Sequence, residues 1–245
     1  MDQNMNFIEL VDIEDYEVLN RKYNMVDVSI EDDESFVLAE EHNYIISHNS
    51  ANASVKNCRD TKTMGSFPLR GKPLNTYGMK PIDIMNNEEF KNIISILGLS
   101  LTDKTLALEN MRYGIVGLFA DADVDGSSIQ GLLINFFNNW PELFENHRIA
   151  IVNSPRYVVT NRKTKEFKFY YNTEEYLKVQ DKIDSSKFET RYIKGLGSLR
   201  NKEMKAVLAD RSHLEFIEID DPEALKIMYS GDSGPRKKLL AEVKA

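Results

Sequence analysis

A seven-residue apolar run followed at once by three alternating aspartates constrains the fold of this chain more than any other feature. Residues 114–120 read GIVGLFA, and the next six residues read DADVDG. An apolar stretch of this kind, without polar alternation, is typical of a parallel strand that is buried on both faces. Beyond the acidic segment, apolar side chains recur at helical spacing from Ile129 to Trp140. Strand, acidic loop and helix in this order predict an α/β domain with a mainly parallel sheet flanked by helices.

Hydrophobic periodicity and turn residues predict the remaining elements. A helix is expected over residues 86–98, with Asn86 and Glu89 as a capping box and Gly98 as its end. The helix after the acidic loop should be capped by Ser127 or Ser128, and a helical tail should contain starts at Asn201, at Asp221-Pro222 and at Gly234-Pro235. Short strands are expected at 25–30, 36–39, 44–46, 149–152, 156–160, 166–171 and 191–194, whereas residues 50–71 are polar and show little periodicity.

Charge is divided unevenly along the chain. Residues 1–49 contain thirteen acidic side chains and two basic ones, a net charge of −11, and residues 50–245 carry a net charge of +3, which together give −8. This asymmetry indicates two units of different origin, and the mildly basic second unit is compatible with a polyanionic partner. The single cysteine, Cys58, excludes a disulfide framework, and the sequence has neither a membrane-spanning run nor a signal peptide at its start. We therefore expect a cytoplasmic protein.

The aspartates of the acidic loop, Asp121, Asp123 and Asp125, predict a cation site. Three carboxylates within five residues repel one another unless they hold a hard cation through oxygen ligands. The loop matches the first six positions of an EF-hand, but Leu132 stands where the bidentate glutamate should be, so calcium sensing is the weaker alternative. In a basic domain, a magnesium site favours phosphodiester chemistry.

Two basic glycine-containing segments could bind phosphate beside this site. FPLRGKPLN (67–75) contains Arg70 and Lys72 on either side of a glycine, and RYIKGLGSLR (191–200) contains Lys194, Gly195 and Gly197 at the end of a predicted strand. Glycine lets the backbone approach a phosphate closely while the neighbouring cations attract it. Each segment alone is a weak signal, since a basic glycine turn is more often an ordinary loop, but together with the acidic loop they are more than a pattern of turns.

The ordered set FPLRGKPLN, MRYG (111–114), ADADVDGSSI (120–129) and RYIKGLGSL resembles the Toprim domain of type II DNA topoisomerases, the gyrase B family. The resemblance covers nearly all of residues 50–245, and segments such as NNWPELFE (138–145) and MYSGDSGPRKK are most similar to the large subunit of T-even-like phages. It implies that Asp121 and Asp123 bind Mg²⁺, with Asp125 as the third acid of the motif. It also implies that Arg70, Lys72 and Lys194 lie near the scissile double-stranded DNA, that the cleaving tyrosine is on another subunit, and that ATP is used by a domain outside this chain.

One family motif is incomplete. The general-acid/base glutamate of the family belongs to Glu-Gly-Asp-Ser-Ala, and here Ser50-Ala51 follows Ser47-His48-Asn49. The resemblance therefore implies that the glutamate and the first Toprim strand are missing from this chain.

The segment ISHNS (46–50) resembles the C-terminal splice junction of an intein, and this interpretation explains the missing half-motif. In it, Ser50 receives the upstream polypeptide as an ester, Asn49 cyclises to cleave the chain, and His48 assists at the carbonyl. VDVSI (26–30) and FVLA (36–39) resemble the strands that precede an intein's end, with Asp27 at a motif position, although Glu34 and Ser35 stand where a histidine is usual. Because the chain opens with Met, we interpret it as the C-terminal partner of a split intein joined to its extein.

The resulting domain prediction is a β-rich intein fragment at 1–49, an incomplete Toprim domain at 50–199 and a helical tail at 200–245. The expected partners are double-stranded DNA, an N-terminal intein and topoisomerase fragment, and a tyrosine-bearing cleavage subunit. Two alternatives remain open: another Toprim enzyme, such as a primase or nuclease, and a non-catalytic module that binds a divalent ion.

Overall fold

The computed structural model describes residues 39–105 and 107–242, which form an α/β unit with two sheets. The strand expected at 25–30 lies outside the described residues, as do residues 36–38 of the next expected strand. Asp27, Glu34 and Ser35 also lie outside them.

Within the described residues, the main sheet contains five strands and the second sheet three. In chain order the strands are β1 (Ala39–His48), β2 (Met64–Leu69), β3 (Tyr113–Phe119), β4 (Ile149–Val152), β5 (Tyr157–Asn161), β6 (Phe167–Tyr170), β7 (Phe188–Tyr192) and β8 (Leu214–Phe216). The main sheet has the order β2-β1-β3-β4-β8, in which β1 to β4 are parallel and β8 runs antiparallel to β4. The second sheet has the order β6-β5-β7 and is antiparallel throughout. The parallel-rich sheet flanked by helices confirms the predicted fold class.

Ten α-helices accompany the strands within the described residues. They are α1 (Asn49–Cys58), α2 (Pro81–Met85), α3 (Glu88–Leu97), α4 (Ala107–Asn110), α5 (Val124–Phe137), α6 (Glu142–Glu145), α7 (Thr173–Gln180), α8 (Asn201–Ala209), α9 (Pro222–Tyr229) and α10 (Gly234–Glu242). The three tail helices begin where the sequence predicted, with Asp221 capping α9 through the N–H of Glu223.

Strand β1 corrects the expectation that the first strand of the sheet is missing. It lies between β2 and β3 and is parallel to both, with Tyr44 opposite Gly65 and Val116. Tyr44 and Ile46 are buried in one hydrophobic cluster and Ile45 in another, so the strand contributes to the cores on both faces of the sheet. Three consecutive apolar side chains suit a central parallel strand, and residues before Ser50 therefore fill the position that was expected to be vacant.

Strand β3 and helix α5 form the predicted strand–loop–helix unit. Phe136 of α5 stacks on Phe90 of α3 with ring centroids 4.2 Å apart, and Trp140 is fully buried with its indole N–H donating to the Ser100 carbonyl at 2.7 Å. The helix begins earlier than expected, because the Asp123 carboxylate, not Ser127 or Ser128, caps it.

Helix α3 also has a different cap from the predicted one. Asn87 caps it by accepting the N–H of Phe90 at 3.0 Å, and Asn86 instead ends α2. Gly98 ends α3 in the left-handed conformation, with φ 77°, as predicted.

Two elements, α1 and β2, lie in the stretch that the sequence left unassigned. Helix α1 buries Val55 and Cys58, and β2 fully buries Leu69 alone among its six residues. Such sparse burial gives little periodicity, and the pairing of β2 with β1 is a long-range contact that local sequence does not encode.

Candidate functional site

The site lies at the edge of the main sheet where the parallel strands end. Register places His48 opposite Leu69 and Ser47 opposite Phe119. Neighbouring strands are about 4.8 Å apart, so the residues that follow β1, β2 and β3 are brought side by side at this edge. The basic segment that begins at Arg70 and the acidic loop that begins at Asp121 therefore flank the start of α1. This edge is where open α/β sheets bind their ligands.

The acidic loop is a tight turn from β3 into α5. Asp123 Oδ1 accepts the N–H of Gly126 at 2.7 Å, which satisfies a free donor at the helix start. Gly126 is buried, and a Cβ added there would lie 2.0 Å from the Asp121 carbonyl oxygen. Asp123 and Asp125 are exposed to solvent, whereas Asp121 is half-buried. The glycine thus allows the turn to hold three carboxylates within one short loop.

Asp121 connects the acidic loop to the segment KGLG. The backbone N–H of Leu196 donates to Asp121 Oδ1 at 2.7 Å, although the two residues are 75 positions apart. A Cβ added to Gly195 would lie 2.9 Å from Asp121 Oδ2, so glycine is what permits this close approach. Two of the motifs that the sequence singled out are therefore in direct contact.

The loop that carries KGLG is held in place from the opposite side. Leu196 and Leu199 are buried in the core, and Glu203 on α8 is 2% exposed. The Glu203 carboxylate accepts hydrogen bonds from the Arg191 guanidinium and from the Arg200 N–H, the latter at 2.8 Å. Arg191 in turn donates to the Ser198 carbonyl at 2.9 Å. This arrangement fixes the loop that contacts Asp121.

The sequence did not identify the pair of Arg191 and Glu203 as part of the site. An Arg and a Glu twelve residues apart carry no local signal, since their meeting depends on how β7 and α8 pack. A further contact of the loop is exposed: Arg200 pairs with Glu189 at 3.1 Å, and this hydrogen bond lowers the pKa of the Glu189 carboxyl.

The predicted phosphate-binding cations are all exposed. Arg70 follows β2 directly; its N–H donates to Glu89 Oε1 at 2.6 Å, and its guanidinium pairs with Glu88 at 3.4 Å. Lys72 lies two residues further on, and Lys194 directly precedes Gly195 at the acidic loop. Gly197 is exposed and lies in the short 3₁₀ turn Leu196–Ser198. The structure brings Lys194 and Gly195 to the acidic loop, and it places Arg70 and Lys72 beyond β2 on the far side of β1.

The predicted splice junction coincides with a change of element. β1 ends at His48 and α1 begins at Asn49, so the peptide bond between Asn49 and Ser50 lies in the first turn of the helix. The side chains of His48, Asn49 and Ser50 lie outside the described part of the chain. Ser47, the last described side chain before the junction, is 1% exposed, and its hydroxyl has no hydrogen-bond partner among the described residues.

The acidic loop has the donor chemistry that Mg²⁺ requires, but no preformed cage. Carboxylate oxygens are suitable ligands, and Mg²⁺ is usually held by one or two carboxylates together with waters and substrate phosphates. Asp121 and Asp123 each use one oxygen to accept an N–H and keep the other available. No group of three acidic, histidine or cysteine side chains converges among the described residues. The loop fits a magnesium ion that takes the rest of its ligands from water and substrate.

No family model matches the chain, but many curated proteins and solved structures do. It is 31% identical to the B subunit of DNA gyrase from Treponema denticola over 226 residues, which covers 89% of the chain and 34% of that protein. It is 35% identical to human DNA topoisomerase 2-beta over 175 residues, 68% of the chain and 11% of that protein. The chain spans about a third or less of these relatives.

The solved structure of the DNA-binding, cleavage and re-ligation domain of Plasmodium falciparum topoisomerase II matches 82% of the chain, with a TM-score of 0.68 and 26% identity. Residues 50–245 alone are too few to account for this coverage or for that of the gyrase match, so both extend into the segment before Ser50.

Fold and site together define a Toprim-type α/β domain with an acidic loop at the carboxyl edge of its sheet. The relatives identify the class of protein: the chain is a homologue of type II DNA topoisomerases and of their gyrase B-type subunits. Among the described residues, no helix has the length and apolar character needed to cross a membrane.

Proposed function

We propose that this chain is the C-terminal precursor part of a type II DNA topoisomerase subunit. It contributes the acidic loop to the cleavage and re-ligation of both DNA strands, after splicing in trans joins an upstream fragment to Ser50. The contact between Asp121 and the Leu196 N–H supports the first half of this proposal, because it joins an acidic loop to a basic loop at a ligand-binding edge. The relatives favour a topoisomerase over a primase, a nuclease or a non-catalytic ion-binding module.

In the proposed site, Asp121 and Asp123 hold Mg²⁺ through their available oxygens, and Asp125 is the third acid of the loop. When bound, Mg²⁺ stabilises the charge that develops on the attacking and leaving oxygens. Lys194, Arg70 and Lys72 attract the phosphates of double-stranded DNA. Gly195 lets the DNA backbone approach, and Gly197 does the same from the following turn. The nucleophilic tyrosine belongs to a separate cleavage subunit, and ATP is used by another part of the holoenzyme. The holoenzyme works in the cytoplasm, which is the host cell's cytoplasm if the gene belongs to a phage.

In the proposed splicing reaction, Ser50 Oγ attacks the carbonyl that joins the upstream polypeptide to the first residue of the N-terminal intein half. The bond to that residue breaks, the residue leaves with the proton of the Ser50 hydroxyl, and the upstream acyl group is held on Ser50 as an ester. The side-chain amide nitrogen of Asn49 then attacks its own backbone carbonyl, which closes a succinimide and breaks the peptide bond to Ser50. His48 donates a hydrogen bond or a proton to that carbonyl as charge develops. The freed amine of Ser50 then attacks the ester, and the upstream polypeptide becomes joined to Ser50 by a peptide bond.

The cleavage proposal is tested in the spliced protein assembled with its cleavage subunit. We expect Asp121→Ala and Asp123→Ala each to abolish Mg²⁺-dependent DNA cleavage on a gel assay. Each substitution also removes a hydrogen bond, the cap of α5 at Asp123 or the contact with the Leu196 N–H at Asp121, and relieves repulsion within the loop. Thermal unfolding should therefore show a loss of no more than about 1–2 kcal/mol, which leaves the chain folded. Asp184→Ala, at an exposed loop of the second sheet, is the control. Cleavage at the unsubstituted rate by both loop variants would exclude this loop as the metal site.

The splicing proposal is tested with an upstream polypeptide that ends in the N-terminal half of the intein. Mass spectrometry should show loss of residues 1–49 and a ligated product in which Ser50 follows the upstream sequence. Asn49→Ala should block release of residues 1–49 while still permitting the ester at Ser50. If residues 1–49 stay attached in every pairing, the intein assignment is wrong.

A further inference from the structure

Strand β1 belongs to the segment that the proposed splicing removes, yet it lies in the middle of the main sheet. Its backbone pairs with β2 from Asn43 to His48 and with β3 over most of the same stretch. If excision at Asn49 simply removed β1, β2 and β3 would face each other across a gap about two strand spacings wide, roughly 9–10 Å. The spliced product therefore needs another strand in this position.

The side chains of β1 are built into the sheet on both faces. Tyr44 and Ile46 pack in the cluster that contains Leu69 and Leu118, and Ile45 packs in the cluster that contains Phe119. All three are at most 5% exposed. Such contacts belong to a folded precursor, since a loosely attached segment would not be buried on both faces.

Ser47 is the exception within this strand. It is buried, its hydroxyl has no partner among the described residues, and it lies in register with Phe119, two residues before Asp121. Counted back from Ser50-Ala51, position 47 is also where the glutamate of Glu-Gly-Asp-Ser-Ala belongs. The strand therefore fills the sheet but lacks a carboxylate at the position next to the acidic loop.

We propose that β1 is a provisional strand. Before splicing it occupies the place between β2 and β3 that the upstream strand ending in Glu-Gly-Asp occupies afterwards. The exchange replaces Ser47 by glutamate at the end of a sheet that is already folded. This inference rests on the proposed trans-splicing, and it adds that residues 39–48 must leave the sheet for the product to form.

Hydrogen exchange of the full chain, followed by mass spectrometry, tests the provisional strand. Amides of β2 and β3 should be protected in the unspliced chain. Ile46→Ala should speed their exchange roughly tenfold or more, because it leaves a cavity between them. Ser47→Val should slow their exchange about threefold or more, because it removes a buried hydroxyl that has no partner. Val159→Ala in β5, a similar truncation in the second sheet, is the matched control and should leave β2 and β3 unchanged.

Addition of the upstream fragment completes the experiment. After ligation, β2 and β3 should remain protected in the product, although residues 1–49 are no longer part of it. If neither Ile46→Ala nor Ser47→Val changes the amide exchange rates of β2 and β3, the inference is wrong, whether or not splicing occurs. By contrast, absence of a ligated product while protection still depends on Ile46 would overturn trans-splicing and leave the position of the strand intact.

Discussion

At the scale of single residues, the site depends on how closely the Asp121 carboxylate approaches the loop at 194–200. We expect Gly195→Ala to displace this carboxylate from the Leu196 N–H, because the new Cβ would lie 2.9 Å from Asp121 Oδ2. A shift of about 1 Å in a catalytic group can cost up to roughly 100-fold in rate, so DNA cleavage by the spliced protein should fall roughly 10- to 100-fold.

The control for Gly195→Ala is Gly231→Ala, since a Cβ at Gly231 would meet nothing within 4 Å. Cleavage and chemical unfolding should be measured for both variants. Equal cleavage rates would mean that the contact between Asp121 and KGLG has no role in positioning the acidic loop.

Tyr44 gives the strand β1 a pH signature. Burial, together with the nearby Tyr113, raises the pKa of the Tyr44 phenol well above its usual value. A raised folded pKa favours the neutral phenol, so the folded state is stabilised below the unfolded pKa of about 10 and loses this stability as pH rises beyond it. Ultraviolet titration should show Tyr44 ionising only as the chain unfolds at alkaline pH.

Replacing Tyr44 by Phe shows whether Tyr44 is a tyrosine that ionises only when the chain unfolds. The absorbance change that accompanies alkaline unfolding should shrink by one tyrosine in Tyr44→Phe. If Tyr44 ionises with the exposed tyrosines, β1 does not occupy the buried central position.

At the scale of elements, α8 holds the loop 194–200 through one buried carboxylate. Glu203→Gln leaves the Arg191 guanidinium without its charged partner, and breaking a buried pair from one side costs about 3–5 kcal/mol. Because Arg191 keeps a fifth of its side chain exposed, we expect about 2–3 kcal/mol in urea unfolding, together with faster exchange of the loop amides.

Glu189→Gln is the matched control for this prediction. Its pair with Arg200 is exposed on both sides, so its loss should destabilise the chain much less than the loss of the Glu203 pair. If the two substitutions destabilise the chain equally, burial of the Glu203 pair is not what fixes the loop.

The elements that could be predicted from the sequence are those in which the spacing of apolar residues shows which side chains are buried. Helix α3, strand β3 and the tail helices show apolar spacing or cap residues that can be identified locally. Two helix caps lie at other residues than predicted: Asn87 caps α3 in place of Asn86, and Asp123 caps α5 in place of Ser127 or Ser128. At α5 this occurs because a carboxylate competes well for free N–H groups at a helix start. The missing family motif predicts that the first Toprim strand is absent. Pairing in a sheet, however, requires only apolar side chains and a free backbone, which Tyr44 to Ile46 supply.

Within the candidate site, the motifs themselves can be identified from the sequence. The pair of Arg191 and Glu203 cannot, because it depends on how β7 and α8 pack.

At the scale of the whole molecule, we predict that the unspliced chain is folded but inactive on DNA, even with Mg²⁺ and the cleavage subunit. The sheet is complete, so the defect is chemical: position 47 holds Ser47 and not an acid, and general acid–base catalysis is worth about 10²–10⁴-fold. Residues 1–49 also carry a net charge of −11 and should repel DNA phosphates at low salt.

A cleavage assay of precursor and spliced product at equal concentration measures this difference. We expect a rate at least roughly 100-fold lower for the precursor. Robust cleavage by the purified precursor would show that the site is already complete without the upstream glutamate.

The order of the main sheet has a further consequence for how a strand from another polypeptide can be accepted. One rim is β2, which contains Pro68, a residue that cannot donate to a ladder and is tolerated at sheet edges. The other rim is β8, only three residues long and antiparallel to its neighbour. Short strands and proline at the rims discourage pairing between molecules. In the described part of the chain, the outside of this sheet is therefore a poor template for a new parallel strand. The middle position, once vacated, is where such a strand can be hydrogen-bonded on both sides. The edge strands β2 and β8 thereby disfavour aggregation, while the position of β1 can still accept a replacement strand.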